Sequence, residues 1–315
     1  MGTTFKRYIF IDILKGISII LVAYGHITPG AIPLFTEYVG SFHMPLFFFV
    51  SGVLFSNTRY KNNFKEFIYK RYKGLIIPFC YFSAIVLLGY LFIEADYFAF
   101  LKRFMGTGWG GYALWFIPVM FGAQLVYYPI CRIAQKWILP CVILLGGVSY
   151  LSSVYIGFVP YNLCLCFCGA YFFGLGNYFK RFLYLTKYVT GSNAVWIFLV
   201  GILISLLYLI EPRQPEWFIN KIPSLVFYIS PLGAILSLLV LSIAIERIGI
   251  RRIINLFSIC GKQSYIILAF HQIICMIAQQ YVPSKIAISI MIVFLAFLVW
   301  FIPKYLPWML GKAKA

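Results

Sequence analysis

The chain has 315 residues, of which 63% are hydrophobic and 11% are charged, with 26 Lys and Arg against 8 Asp and Glu. This composition excludes a soluble fold, because ordinary globular domains are about 45–50% apolar and about 25% charged. The cations fall in short runs between apolar segments, which indicates the loops of a polytopic membrane protein and not a nucleic-acid-binding surface.

The apolar windows predict an all-α, polytopic transmembrane helical bundle of about ten spans, since each span needs about 20 apolar residues. No internal repeat interrupts the chain, so we predict a single membrane-embedded domain over residues 1–315. The predicted spans are 8–28, 40–56, 75–93, 111–131, 137–156, 160–179, 193–210, 222–245, 257–281 and 286–303.

The distribution of Lys and Arg over the connections predicts the orientation of the bundle. With the N-terminus inside, nineteen cations fall on the cytoplasmic side and five on the outer side. This asymmetry agrees with the positive-inside rule. We therefore expect both termini to be cytoplasmic.

The first predicted span contains three polar exceptions, Asp12, Lys15 and His26. Asp12 and Lys15 interrupt the apolar run, which predicts an uncleaved span instead of a signal peptide. Lys15 and His26 are eleven residues apart, about three helical turns, so both lie on one face and about 16 Å apart along the axis. A plain ion pair between Asp12 and Lys15 near the inner interface is an equally good interpretation of those two residues.

The three histidines of the chain are predicted to share one depth in the membrane. His26 lies near the outer end of the first span, His43 opens the second span at that level, and His271 lies in the middle or outer half of the ninth. Imidazole can take and return a proton near neutral pH, so this layer indicates acid–base chemistry. No HExxH or Cys/His pattern accompanies the histidines, and we predict no metal site.

The most basic segment is a predicted loop at 57–73, which contains six cations and one acid. Membrane orientation, or attraction to anionic lipid, explains part of this charge. Six cations exceed what orientation requires, and Arg and Lys both bind phosphate well. The loop therefore predicts a site for a phosphate-rich cytoplasmic ligand.

These motifs resemble those of the integral-membrane acyltransferase family 3, and within it the fucose 4-O-acetylase-like O-acetyltransferases. The family pattern of a basic residue, ten residues and His is matched by Lys15, GISIILVAYG and His26, with Lys where many members have Arg. Further matches follow in family order: FHMPLFFFVSG at 42–52, KRYKGLIIPF at 70–79, ALWFIPVMF at 113–121, YFFGLGNYF at 171–179 and CGKQSYIILAFH at 260–271.

The resemblance implies a membrane-bound O-acyltransferase in the inner membrane of a bacterium. Such an enzyme would move an acetyl group from cytoplasmic acetyl-CoA to a sugar hydroxyl of a surface polysaccharide or lipid-linked glycan. Acetyl-CoA would be a co-substrate, with no permanently bound cofactor, and the partners would be the glycan and membrane lipids. A succinyl or longer acyl group, the acceptor sugar and the oligomeric state stay open. The alternative is a glycan transporter or flippase without acyl transfer, although no pair of Gly- or Pro-broken helices supports it.

The resemblance also implies roles for particular residues. His26 would deprotonate the acceptor hydroxyl or, alternatively, carry the acetyl group itself. His43 would stabilise the oxyanion or orient His26, and Lys15 with Asp12 would complete the catalytic set by lining a channel. The CoA phosphates are assigned to Arg71, Lys73, Lys70 and Arg59. The expected acceptor contacts are Trp115, Tyr112, Gln263, Ser264 and His271, although an interfacial aromatic belt is the more ordinary explanation of the two aromatics.

Overall fold

The computed structural model describes residues 8–27, 33–56, 63–93, 98, 112–133, 135–156, 164–210 and 224–312. Within these ranges the chain forms helices and no strand, which confirms the all-α prediction. The α-helices are α1 (Ile9–Ile27), α2 (Pro33–Val53), α3 (Phe64–Arg71), α4 (Ile77–Tyr90), α5 (Phe116–Tyr127), α6 (Ile138–Tyr155), α7 (Leu165–Phe179), α8 (Gly191–Ser205), α9 (Ser230–Ile248), α10 (Arg251–Lys262), α11 (Ser264–Gln279) and α12 (Ser284–Tyr305).

Shorter helical segments extend or connect several of these helices. A π-helical turn at Tyr72–Ile76 joins α3 to α4. The 3₁₀ segments are Tyr112–Trp115, Ile130–Arg132, Gln135–Trp137, Lys180–Tyr188, Leu206–Ile210, Leu225–Tyr228 and Pro307–Leu310.

Seven helical segments of the described residues are long and apolar enough to cross a membrane, or eight if α10 and α11 count together as one broken span. This confirms the transmembrane helical bundle. The total of about ten spans and the side on which the termini lie stay predictions. The seven segments are Ile9–His26, Phe64–Tyr90, Ala113–Arg132, Ile138–Tyr155, Gly191–Ile210, Leu225–Ile248 and Ser284–Tyr305.

The described part of the basic segment is helical from Phe64 onward, which corrects the prediction of a loop over 57–73 for these residues, and 57–62 lie outside the described residues. Asn63 caps α3, since its side-chain oxygen accepts the backbone N–H of Glu66 at 2.9 Å. The helix then continues through the π turn into α4. This turn immediately precedes Pro78, which lacks an N–H and crowds the preceding turn, so the backbone widens there.

The predicted ninth span at 257–281 is broken, and the helix on its N-terminal side begins earlier, at Arg251. α10 and α11 meet at Gln263 and are bent by 80°. The junction Gly261 to Ser264 has no apolar residue, and Gly261 and Ser264 are weaker helix formers than the residues around them, so no buried apolar side chain favours a continuous helix there. The second predicted span, 40–56, also starts early, because Pro33 suits a first helical position.

α1 lies inside the bundle and contacts α2, α9, α10 and α11. α2 packs on α7, which in turn contacts α5 and α6, while α8 packs on α9 and α12 on α11. Burial is extensive along α1, where Ile13, Leu14 and Ile19 are at most 1% exposed. Ser18 is fully buried, and Asp12 and Lys15 are half-buried, between these neighbours.

A close helix crossing joins α1 to α10 through two glycines. A Cβ atom at Gly16 would lie 2.0 Å from the backbone oxygen of Phe257, and one at Gly261 would lie 1.9 Å from the backbone oxygen of Asp12. The two backbones touch, so no larger residue fits at either position without displacing a helix. This crossing fixes the position of α1 against α10.

Candidate active site

The structure brings His26, His43 and His271 together at one end of α1. His26 lies in the last turn of α1, His43 in the middle of α2 and His271 in the middle of α11. The ring centroid of His26 is 5.4 Å from that of His271 and 6.5 Å from that of His43. Three helices that are distant in sequence thus contribute one imidazole each to a single cluster.

Local hydrogen bonds fix the tautomers of two of these rings. Nδ1 of His43 lies 2.8 Å from the backbone oxygen of Val39, and Nδ1 of His271 lies 2.8 Å from that of Ile267. A carbonyl oxygen can only accept, so each Nδ1 carries the hydrogen and donates it. In the neutral ring, Nε2 of each histidine then presents a lone pair.

The three rings differ in their access to the surface. His26 is exposed, whereas His43 is 9% exposed and His271 is fully buried. Nε2 of His271 has no hydrogen-bond partner within the described part of the chain. A buried acceptor without a donor costs about 1–3 kcal/mol, so this atom is poised to accept from a donor that enters the site.

Asp12 and Lys15 do not join the histidines. Both are half-buried near the other end of α1, beside the crossing with α10. Lys15 is eleven residues from His26, which places the two positions about 16 Å apart along the helix axis. A direct part in chemistry at the histidine cluster is therefore beyond the reach of either side chain.

Trp115 lies in a 3₁₀ segment that contacts α11, the helix of His271, but it is only 5% exposed. This burial does not fit an interfacial aromatic belt. Its 3₁₀ segment is tied to α11, because the side-chain oxygen of Gln272 accepts the backbone N–H of Ala113 at 3.0 Å. Sequence reasoning missed Gln272, although its position next to His271 was a signal. The Tyr112 side chain lies outside the described residues.

Gln263 and Ser264 lie at the bend between α10 and α11. Ser264 is seven residues before His271, so about 10 Å of helix separates the two positions. The structure therefore separates these two expected acceptor contacts from the histidines.

The basic residues of α3 and the π turn differ in their neighbours. Arg71 is half-buried, and its guanidinium lies 5.7 Å from the Phe55 ring centroid and 5.9 Å from that of Phe67. Lys70 instead forms an ion pair with Glu66 one turn before it. Lys73 lies 5.9 Å from the Tyr69 ring centroid, and Arg59 lies outside the described residues.

Two residues that the sequence analysis missed support the end of α2 near Arg71. Lys180 donates to the backbone oxygen of Phe55 at 2.7 Å, and Asn177 donates to that of Gly52 at 3.1 Å. Burial lowers the pKa of the Lys180 ammonium. The signal was a polar pair, Asn177 and Lys180, that ends the otherwise apolar α7. Phe55 thus lies between two cations, with Arg71 at its ring and Lys180 at its carbonyl.

The geometry fits proton transfer at the histidine cluster and anion binding at Arg71. Among the described residues, no group of three His, Cys, Asp or Glu side chains has an arrangement that could hold a metal ion. Exposed His26 is the ring that a ligand can reach, with two further imidazoles behind it.

Comparison with known proteins gives a family match along nearly the whole chain. The model of the Acyl_transf_3 family, described as an acyltransferase domain, matches residues 8–305. The nodulation protein NolL of Sinorhizobium fredii (strain NBRC 101917 / NGR234) is 30% identical over 151 residues, which are 42% of this chain and 40% of that protein. The chain thus matches well under two thirds of the length of this relative. No solved structure matches the chain.

Proposed function

Since this chain belongs to the Acyl_transf_3 family of acyltransferases, we propose that it transfers an acetyl group from acetyl-CoA to a sugar hydroxyl. The acceptor is a surface polysaccharide or a lipid-linked glycan, and the enzyme works in the inner membrane of a bacterium. Acyl transfer and a membrane location follow from the family and the apolar helices. The acetyl-CoA donor, the glycan acceptor and the assignment to the inner membrane of a bacterium are the proposed part.

The observation that carries the proposal is the exposed His26 ring beside two buried histidines. His26 takes the proton of the sugar hydroxyl as its oxygen bonds to the thioester carbonyl carbon. The carbon–sulfur bond then breaks, and the CoA sulfur leaves with the electron pair and takes the proton from His26. Acetyl transfer is complete, and the histidine returns to its starting state.

The tautomers of His43 and His271 favour one of the roles considered for them. Each presents a lone pair at Nε2, which accepts a hydrogen bond from a ring N–H of His26 or from the acceptor hydroxyl. His43 in this form orients a donor. It would stabilise an oxyanion only after taking a second proton, so we assign it the orienting role.

The donor is proposed to bind at the end of the bundle where Arg71 lies. Arg71 is held between aromatic rings with Lys180 nearby, and this arrangement suits the phosphates of CoA. Lys73 and Arg59 are proposed to add positive charge around the CoA phosphates. Lys70 is proposed to contribute less, because its ammonium already pairs with Glu66. Asp12 and Lys15 are proposed to line the path of the pantetheine arm between the two ends.

The central experiment replaces His26 with Ala in the full chain and measures transfer of labelled acetyl from acetyl-CoA to membrane glycan. Loss of the base lowers the rate about 100-fold or more. The matched control is Tyr281→Ala, which removes an exposed ring just after α11 and leaves transfer unchanged. Equal protein levels in the membrane are checked for both variants. Undiminished acetylation by His26→Ala would refute the proposed role.

A second variant, Arg71→Gln, tests the donor site. Loss of charge-assisted hydrogen bonds to phosphate raises the KM for acetyl-CoA about tenfold while kcat changes little. Lys70→Gln serves as the control, because the Glu66 partner occupies that side chain, and we expect a smaller rise. If KM is the same in Arg71→Gln and the parent protein, Arg71 has only an orientational or structural role.

A further inference from the structure

α10 has three distinct sides, and one of them is covered by the bundle. Ser258 is 6% exposed and Gly261 is buried, and both belong to the side that packs on α1. Gly261 and the backbone of Phe257 make the direct contacts with α1. Ile254, Phe257 and Cys260 are half-buried beside this side, and the remaining residues of the helix are exposed.

The open surface of α10 is divided into a polar side and an apolar side. Arg251, Asn255 and Lys262 are all exposed and fall within about 40° of one another around the helix. Arg252 lies about 60° beyond Asn255, beside Ile259 at the edge of the polar side. The apolar side is formed by Ile253 and Leu256, which are 40% and 58% exposed.

The charge of α10 is entirely positive. Arg251, Arg252 and Lys262 are exposed, and residues 251–262 include no acid. The nearest acid before the helix is Glu246 in the last turns of α9. A positively charged surface attracts anions. The adjoining apolar side distinguishes α10 from an ordinary helix that is exposed only to water.

The direction of α10 fits a position along the membrane surface. The helix is bent by 80° from α11, which continues into the bundle. A helix with one apolar and one cationic side is stable at the boundary between acyl chains and headgroups, where each side meets its preferred surroundings.

We propose that α10 lies in the membrane interface, with its apolar side against acyl chains and with Arg251, Arg252 and Lys262 bound to the phosphates of anionic phospholipid headgroups. This inference does not rest on the proposed function. Because α10 touches α1 at Gly16 and Gly261, bound lipid also holds the helix that carries His26.

A binding titration tests the headgroup contact. Fluorescent phosphatidylglycerol is added to the full chain in detergent, and its affinity is compared with that of fluorescent phosphatidylcholine. The double variant Arg251→Gln/Arg252→Gln weakens phosphatidylglycerol binding on the order of tenfold, since each basic residue near a membrane surface contributes measurably. The control Lys136→Gln/Lys285→Gln removes two exposed cations elsewhere and changes the affinity little. Equal weakening by the control, or equal affinity for both lipids, overturns the headgroup site.

Spin labels test the orientation of α10 independently of charge. Asn255→Cys and Leu256→Cys are made separately in a Cys80→Ser/Cys260→Ser chain and reconstituted in vesicles with phosphatidylglycerol. Oxygen, which concentrates in the acyl region, relaxes the label at 256 more strongly, and a water-soluble nickel chelate relaxes the label at 255 more strongly. The same accessibility at both positions overturns the interfacial orientation.

Discussion

His271 is a fully buried side chain whose second ring nitrogen has no hydrogen-bond partner among the described residues. Its Nδ1 is committed to the carbonyl oxygen of Ile267, and the neutral ring has a lone pair at Nε2. Leaving an acceptor unsatisfied is unfavourable for folding. The ring of His26, which has a movable proton, lies 5.4 Å away between ring centroids.

Replacing His271 with Leu therefore separates stability from activity. The variant removes an unsatisfied acceptor and keeps a side chain that fills the site, so thermal stability stays the same or rises. Acetyl transfer falls about 100-fold if the ring accepts a hydrogen bond during the reaction. Thermal melting and labelled acetyl transfer on the same preparation check both. Full activity in a stable variant would show that the ring only fills space.

At the scale of single residues, the sequence predicts which histidines lie close together but not their tautomers or their burial. The helical spacing and the span boundaries place three histidines at one depth, and the structure brings them together. The tautomers depend on i−4 carbonyl contacts that both helices supply. The burial of Trp115 and its tie through Gln272 depend on contacts between residues far apart in the chain, so no local pattern contained them.

The crossing of α1 with α10 helps to hold the helix that carries His26. Here the interaxial approach is set by the absence of side chains at Gly16 and Gly261, so dispersion contacts form directly between backbones. A rigid backbone carbonyl cannot move aside as a flexible side chain can.

Gly261→Ala consequently destabilises the protein by about 1–3 kcal/mol, because its Cβ would meet the backbone oxygen of Asp12. The matched control is Gly147→Ala in α6, where the added methyl meets nothing within 4 Å. Alanine is the better helix former, so the control is neutral or stabilising by up to about 1 kcal/mol. Thermal melts of both variants in one detergent provide the measurement. A similar effect of the two substitutions would contradict the close crossing.

At the scale of elements, the helix boundaries show what the hydropathy of the sequence predicts correctly and what it misses. Hydropathy located the apolar stretches, but it began the third span at 75, after the cations, whereas the helix already runs through Lys70 and Arg71 in α3. Charged residues are good helix formers, and the Asn63 cap begins the helix beyond the apolar stretch. The break at Gln263 was also missed, because mean hydropathy does not register a short polar junction.

The whole molecule is a helical bundle, and its charge predicts an orientation in the membrane. Cations concentrate on one side of the predicted map, and this asymmetry directs the insertion of the short loops. The histidine cluster and the basic helix α3 are then expected to face opposite sides of the membrane.

Cysteine labelling in intact cells tests this orientation. Lys285 and Lys136 are both exposed. The distribution of Lys and Arg over the predicted connections places Lys285 on the outer side and Lys136 on the cytoplasmic side. In a Cys80→Ser chain, a membrane-impermeant maleimide labels Lys285→Cys in intact cells, and Lys136→Cys only after permeabilisation. The two variants control for each other, since both are exposed lysine positions. The reverse pattern would mean that the bundle inserts in the opposite orientation.

The sequence by itself determined the class of the molecule, because 63% hydrophobic residues can be accommodated only by a membrane and each backbone must then satisfy its own hydrogen bonds in helices. It also indicated the three histidines and the basic segment, because polar groups are costly among apolar ones. Only the tertiary structure decided which side chains are buried, which ring nitrogen is unsatisfied and where α10 turns away from α11. Those properties arise from contacts between helices that are remote in the chain, and local periodicity has no information about them.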